Sequence, residues 1–108
     1  MYTLQIEHMK SLVQIKHIIE VLSSPAHIQI KYIGDMSVDE LGLEFDDAYL
    51  MLSLSNFKQL NKKERTILNE LNIVLDKMSE ISKLWNKEAL NSSFEWEAVR
   101  KLAKSFKK

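Results

Sequence analysis

Apolar residues recur along this chain at two different spacings. Met9, Leu12, Val13, Ile15, Ile18, Ile19 and Leu22 contain runs spaced by three and four, such as 12–15–19–22. That rhythm lays a wide apolar stripe along one side of a helix. Ser23-Ser24-Pro25 closes the stripe, because proline biases its predecessor away from helical angles. Two short stretches alternate instead. Tyr2, Leu4 and Ile6 are interleaved with polar residues, and Ile28, Ile30 and Tyr32 alternate with Gln29 and Lys31. A period of two, rich in β-branched and aromatic residues, predicts a strand over 27–33. A lone strand leaves its backbone groups unpaired, so 2–6 is its expected partner.

Gly34-Asp35 is a turn signal, and Ser37 with Glu40 has the spacing of a capping box. Val38, Leu41, Phe45, Ala48, Tyr49 and Leu52 then predict a helix over 38–54. Gly42 works against it by about 1 kcal/mol relative to alanine. Leu41, Leu43 and Phe45 also fit a strand. Asn61 with Glu64 is a second cap-like pair. Behind it Ile67, Leu71, Val74, Met78, Ile81 and Trp85, widened by Leu68, Leu75 and Leu84, predict a helix over 62–86, about 37 Å long. Ser92 with Glu95 opens a last helix carrying Val99, Leu102, Ala103 and Phe106. No repeat or linker divides the chain, so one domain over 1–108 is expected. The expected fold class is mainly α, with about four helices in a small bundle. An α+β arrangement with one short two-stranded pair is the alternative.

Composition supports the helical reading. The chain has 108 residues but only two Gly and one Pro, too few for a turn-rich, strand-rich fold. It has no Cys, which excludes disulfides, Cys-ligated metals and a thiol nucleophile and suits a reducing cytosol. The opening residues lack a basic region followed by an apolar run, so no secretory leader is expected. The longest unbroken apolar stretch is 48–52, far below the ~20 residues of a membrane span. A cytoplasmic protein that makes no membrane contact is expected.

Catalytic chemistry finds little to stand on. His8, His17 and His27 never fall three or four apart, the spacing of a helical zinc pair. His17 and Glu20 read as a surface pair. Gly34 and Gly42 cannot build a phosphate loop, and no Ser sits in a nucleophile elbow. Asp39-Glu40 and Asp46-Asp47 could contribute to a Mg²⁺ site, but adjacent residues on a helix point apart. We therefore expect no enzyme, no metal and no cofactor. Trp85, Phe94, Trp96 and Phe106 are interleaved with Lys83, Lys87, Arg100, Lys101 and Lys104. Such aromatics either stack on bases or close the core. The core reading is favoured, with Trp85 and Trp96 buried against each other's helices and Phe106 nearby.

Charge changes the picture most. The formal sum is zero, yet residues 1–54 carry three Lys against eight acids, while 55–108 carry twelve cations against seven acids. No basic residue lies between Lys31 and Lys58. Asp35, Asp39, Glu40, Glu44, Asp46 and Asp47 fall inside that gap, and this acidic strip is the candidate partner-binding site. The basic run Arg100, Lys101, Lys104, Lys107 and Lys108 is explained by a helix C-terminus. Nucleic acid is the alternative ligand for it, but the chain lacks the positive excess such binders show.

Trp85, Ala89-Leu90 and Ser93-Phe94-Glu95-Trp96-Glu97-Ala98-Val99-Arg100-Lys101-Leu102-Ala103 together resemble the closing helix of small bacterial immunity proteins, which neutralise toxin domains delivered between competing cells. The resemblance implies a cytosolic inhibitor that binds a toxin tightly and does no chemistry. No functional residue transfers through it. Many toxins of this kind are nucleases or bind RNA, so their clefts are basic, and an acidic strip is the complement that speeds association and selects the partner. The expected partner is a basic toxin domain, and the chain itself is expected to be a monomer or weak dimer. The alternative is a small nucleic-acid-binding regulator that uses the basic C-terminal helix.

Overall fold

Every regular element among the described residues is helical. The computed structural model describes the backbone of residues 2–55 and 57–107, and the side chains of 10–54 and 57–107. Six α-helices follow in order: α1 Tyr2–Ser23, α2 Ala26–Ile33, α3 Asp39–Ser55, α4 Lys62–Met78, α5 Lys87–Ser92 and α6 Phe94–Lys107. Short 3₁₀ turns at Phe57–Gln59 and Ser82–Leu84 connect α3 to α4 and α4 to α5. The mainly α expectation holds, with six helices where about four were expected.

Neither expected strand forms. Residues 2–6 are the start of α1, and 27–33 fall in α2; the side chains of 2–9 lie outside the described residues. The reason at α2 is Gln29. On a helix, Gln29 and Ile33 share one face, and both are buried. The Gln29 amide donates to the carbonyls of Val21 (3.2 Å) and Leu22 (3.0 Å). These belong to the last turn of α1, where carbonyls lack helical partners. Strand alternation would have placed Ile28 with Ile30, but Ile28 is exposed. The stop at Pro25 is where the sequence put it, and the Ser23 and Ser24 hydroxyls donate back to the Glu20 carbonyl.

At α3 the Ser37 hydroxyl accepts from the Asp39 N–H, 3.2 Å, rather than from Glu40. Leu41, Phe45, Ala48 and Leu52 point into the core. Gly42 has a structural reason. A Cβ there would sit 2.9 Å from the Trp85 ring, so the missing side chain lets that indole lie against α3.

The Asn61–Glu64 capping box is present in full. Asn61 Oδ1 accepts from the Glu64 N–H at 2.8 Å, and the Glu64 carboxylate accepts from the Asn61 N–H at 3.0 Å. The helix it opens stops at Met78 instead of running to 86. The Trp85 Nε1–H donates to the Met78 carbonyl, 2.7 Å, a group that a continuing helix would use for itself. Ile81 and Trp85 keep the apolar rhythm but lie beyond the helix. At α6 the cap is Ser93, whose Oγ accepts from the Trp96 N–H, 3.1 Å. Ser92, the expected cap, lies in α5 and donates to the Glu88 carbonyl.

α1 packs along α3 on one side and α6 on the other, and α6 in turn packs on α4. α3 and α4 touch only sparingly. The four long helices thus run in the spatial order α3–α1–α6–α4 with an open seam between the outer two. One continuous core draws on all six helices. No helix among the described residues is long and apolar enough to cross a membrane.

Candidate functional site on the exposed side of α3

A helix turns about 100° per residue, so the inward set Leu41, Phe45, Ala48 and Leu52 fixes what points out. The outward set is Leu43, Leu50 and Leu54, exposed by 54%, 57% and 79%. Acids flank this leucine line on both sides. Asp39 and Asp46 turn toward α4; Glu44 and Asp47 turn toward α1, and Glu40 shares their face by its spacing. Asp35 sits in the connection from α2 to α3. The six acids of the strip are therefore brought onto one side of the molecule but divided between two flanks. Asp35, Asp39, Asp46 and Asp47 are exposed; Glu40 and Glu44 are half-buried. The ion pairs among the described residues are Arg100–Glu97 and Lys107–Glu20, so none of the six is neutralised by a described cation.

On the α1 flank, Tyr32 donates its phenol proton to Glu44, 2.9–3.0 Å. His17 Nε2 lies 3.1 Å from the same phenol oxygen, and with the proton committed to Glu44 the ring nitrogen must be the donor. Burial, reinforced by the bond to Glu44, pushes the Tyr32 hydroxyl up to about 12. A cleft of about 390 Å³ lies between α1 and α3 here, with Val13, His17, Glu44 and Asp47 on its walls. The expected His17–Glu20 pair does not form; Glu20 instead holds Lys107 at 2.9 Å.

On the α4 flank, a cleft of about 310 Å³ is walled by Asp39, Gly42, Leu43, Asp46, Leu75, Asp76 and Trp85. Burial raises the Asp46 carboxyl above its usual range, and the charges of Asp76 and Asp47 add to the shift. Asp76 is the residue sequence reasoning missed. It belongs to α4, far from the strip, and only the fold brings it to Asp46. Farther along the same seam Tyr49, Phe57, Lys62, Arg65 and Asn69 border a second cleft, of about 390 Å³. Among the described residues no three His or carboxylate groups gather so as to hold a metal ion. Asp39-Glu40 and Asp46-Asp47 diverge as neighbours on a helix must.

The C-terminal aromatics and cations are used differently. Trp85 and Trp96 meet edge to face, ring centroids 5.2 Å apart. Trp96 is fully buried and Trp85 half-buried. Both indole N–H groups are spent, on the Met78 and Leu84 carbonyls, so neither is a free stacking platform. Phe106 is buried too, but ten residues on, about 15 Å along α6, beside Ile19 of α1. It is not a neighbour of the tryptophans. Of the four aromatics only Phe94 stands exposed, at 85%. Arg100 is buried, with Nη1 bonded to Gln29 Oε1 (3.0 Å) and the Leu90 carbonyl (2.9 Å). Lys107 is paired with Glu20. Lys101 and Lys104 remain exposed, and Lys108 lies outside the described residues. Within the segment 93–103, Trp96, Val99, Arg100 and Ala103 are core, while Phe94, Glu95, Glu97 and Lys101 are exposed. No protein-family model, curated protein or solved structure significantly matches the chain.

Proposed function

We propose that this protein is a non-catalytic, cytoplasmic inhibitor of the immunity type, which neutralises a basic toxin domain by covering it with the acidic face of α3. One observation carries the reading: α3 exposes three leucines and a set of acids that no cation among the described residues neutralises. Exposed apolar side chains grouped inside a polar margin are the anatomy of a protein interface. The uncompensated acids add long-range attraction for a basic partner, which raises the association rate and disfavours anionic competitors. Nucleic acid is the weaker ligand on the same grounds. Arg100 is buried and bonded within the fold and Lys107 is held in a surface pair with Glu20, and the α3 side would repel a polyanion.

The test is co-expression with basic toxin domains encoded by genes neighbouring this one. The parent should protect the host cell, and the triple reversal Asp39→Lys, Asp46→Lys, Asp47→Lys should lose protection while keeping its helical circular dichroism. With purified components the reversal should slow association by about tenfold or more and flatten its salt dependence. Unchanged association would remove the strip from the interface. Nanomolar, sequence-selective gel shifts with DNA or RNA would replace the inhibitor reading by the regulator.

A further inference from the structure

Resting on the inhibitor reading, we infer that the seam between α3 and α4 is a groove for one amphipathic helix of the partner, its basic end over Asp39, Asp46 and Asp76 and its acidic end over Lys62 and Arg65. Three features carry this.

First, the bundle is open along this line. α1–α3, α1–α6 and α4–α6 pack closely, but α3 and α4 barely meet. Both clefts on this side are bordered by the same two helices, Asp39, Gly42, Leu43, Asp46 and Tyr49 on α3 against Asp76, Asn69, Arg65 and Lys62 on α4, with Ser79 just past the end of α4. The stretch of α4 involved is about 26 Å long at 1.5 Å per residue, which accommodates a helix of about 16 residues.

Second, the floor is apolar. Leu43, Leu75 and the Trp85 ring line one end, and Tyr49 and Phe57 line the other. Leu50 shares a face with Leu43 and Asp46, and Ile73 with Asn69 and Asp76; both are exposed. Helical ligands are commonly bound in this way, through apolar anchors spaced three and four apart that sink into a groove.

Third, the ends carry opposite charge. Asp39, Asp46 and Asp76 crowd one end, and Lys62 and Arg65 hold the other. A partner helix with separated charges is matched at both ends, whereas a uniformly basic or acidic one is opposed at one of them. The raised Asp46 carboxyl fits the same picture, since its repulsion by Asp76 is unrelieved in the free protein.

The probe is a synthetic helical peptide of about 16 residues, with leucines at three- and four-residue spacing, lysines at one end and glutamates at the other. It carries a nitroxide quencher at either end, and Trp85 fluorescence, assigned with Trp85→Phe, is the readout. We expect binding, quenching by the label on the basic end but not the acidic end, and at least tenfold weaker binding to Asp46→Lys/Asp76→Lys of unchanged helix content. Equal quenching from both ends, equal affinity of an all-lysine peptide, or no binding at millimolar peptide overturns the groove. So does a concentration-dependent dimer whose formation the peptide blocks, because the seam would then belong to a second copy. Peptide failure alongside loss of toxin protection in the α3 triple reversal removes the groove and leaves the inhibitor. End-selective peptide binding without any toxin protection does the reverse.

Discussion

Arg100 and Asp46 are both charged residues on helices, and the molecule treats them in opposite ways. Arg100 is taken inside. It is 6% exposed, and its guanidinium bonds to Gln29, to the Leu90 carbonyl and to Glu97. At this point of α6 the charge is consumed within the fold. Asp46 faces a cleft, has no cation against it and is pressed by Asp76. The α3 side leaves its charge unspent. A charged residue that is fully bonded internally holds the structure together, and one left uncompensated beside exposed leucines is available to another molecule. The contrast is between these two sites, because Lys101 and Lys104 farther along α6 stay exposed.

The sharpest break of the contrast is at Trp96, the largest fully buried side chain of the α6 region. Trp96→Ala should cost ~3–5 kcal/mol in denaturant unfolding, and a loss below about 1 kcal/mol would mean that the core is not centred there. Next comes Arg100→Met. It strands Gln29 Oε1 and the Leu90 carbonyl without a donor, and the same unfolding measurement should register a loss of ~1–3 kcal/mol. Arg100→Lys should recover only part of it, because an ammonium lacks the guanidinium fork.

Gly42→Ala is smaller because two effects oppose. Helix propensity favours alanine by ~1 kcal/mol. The new Cβ meets the Trp85 ring at 2.9 Å, and that ring is anchored by its bond to Met78 and its contact with Trp96. A net loss below ~1 kcal/mol and a shifted Trp85 emission are expected; a gain in stability with unchanged emission would show that the ring moves freely.

Asp46→Asn is the most delicate. A carboxyl raised in the folded state favours folding while protonated. That contribution is full below the ordinary value of 3.8 and is lost as pH rises through the folded value. Asparagine removes the loss. The variant should melt above the parent at pH 7, and the gap should close below pH 3.8. A gap that widens in acid would reverse the assigned repulsion.

Local signals in the sequence read well where one helix sufficed to explain them. Asn61 with Glu64, the proline stop after Ser24 and the α3 stripe from Leu41 to Leu52 are all decided within a few turns. The acids of α3 were legible as a gap in basic residues. The caps at Ser37 and Ser92 missed locally, by one residue each, but the larger failures depended on distant partners. The alternation at Ile28, Ile30 and Tyr32 suits a strand by itself, but Gln29 is drawn onto the open carbonyls of α1. The stripe through Ile81 and Trp85 suits a longer helix, but the Trp85 indole takes the carbonyl at its end. Asp76 carries no mark in its own neighbourhood, and its place beside Asp46 follows from the antiparallel run of α3 and α4.

The link between Gln29 and Arg100 spans 71 positions, and the same separation governs how the chain can be made. α1 buries its stripe against α3 and α6 together. A ribosome adding roughly 5–20 residues per second reaches α6 on the order of ten seconds after finishing α1. Throughout that interval the stripe of α1 lacks the cover that α6 supplies. The nascent protein is therefore a client for whatever shields apolar surface at the exit tunnel, and it becomes self-sufficient only when its last helix emerges.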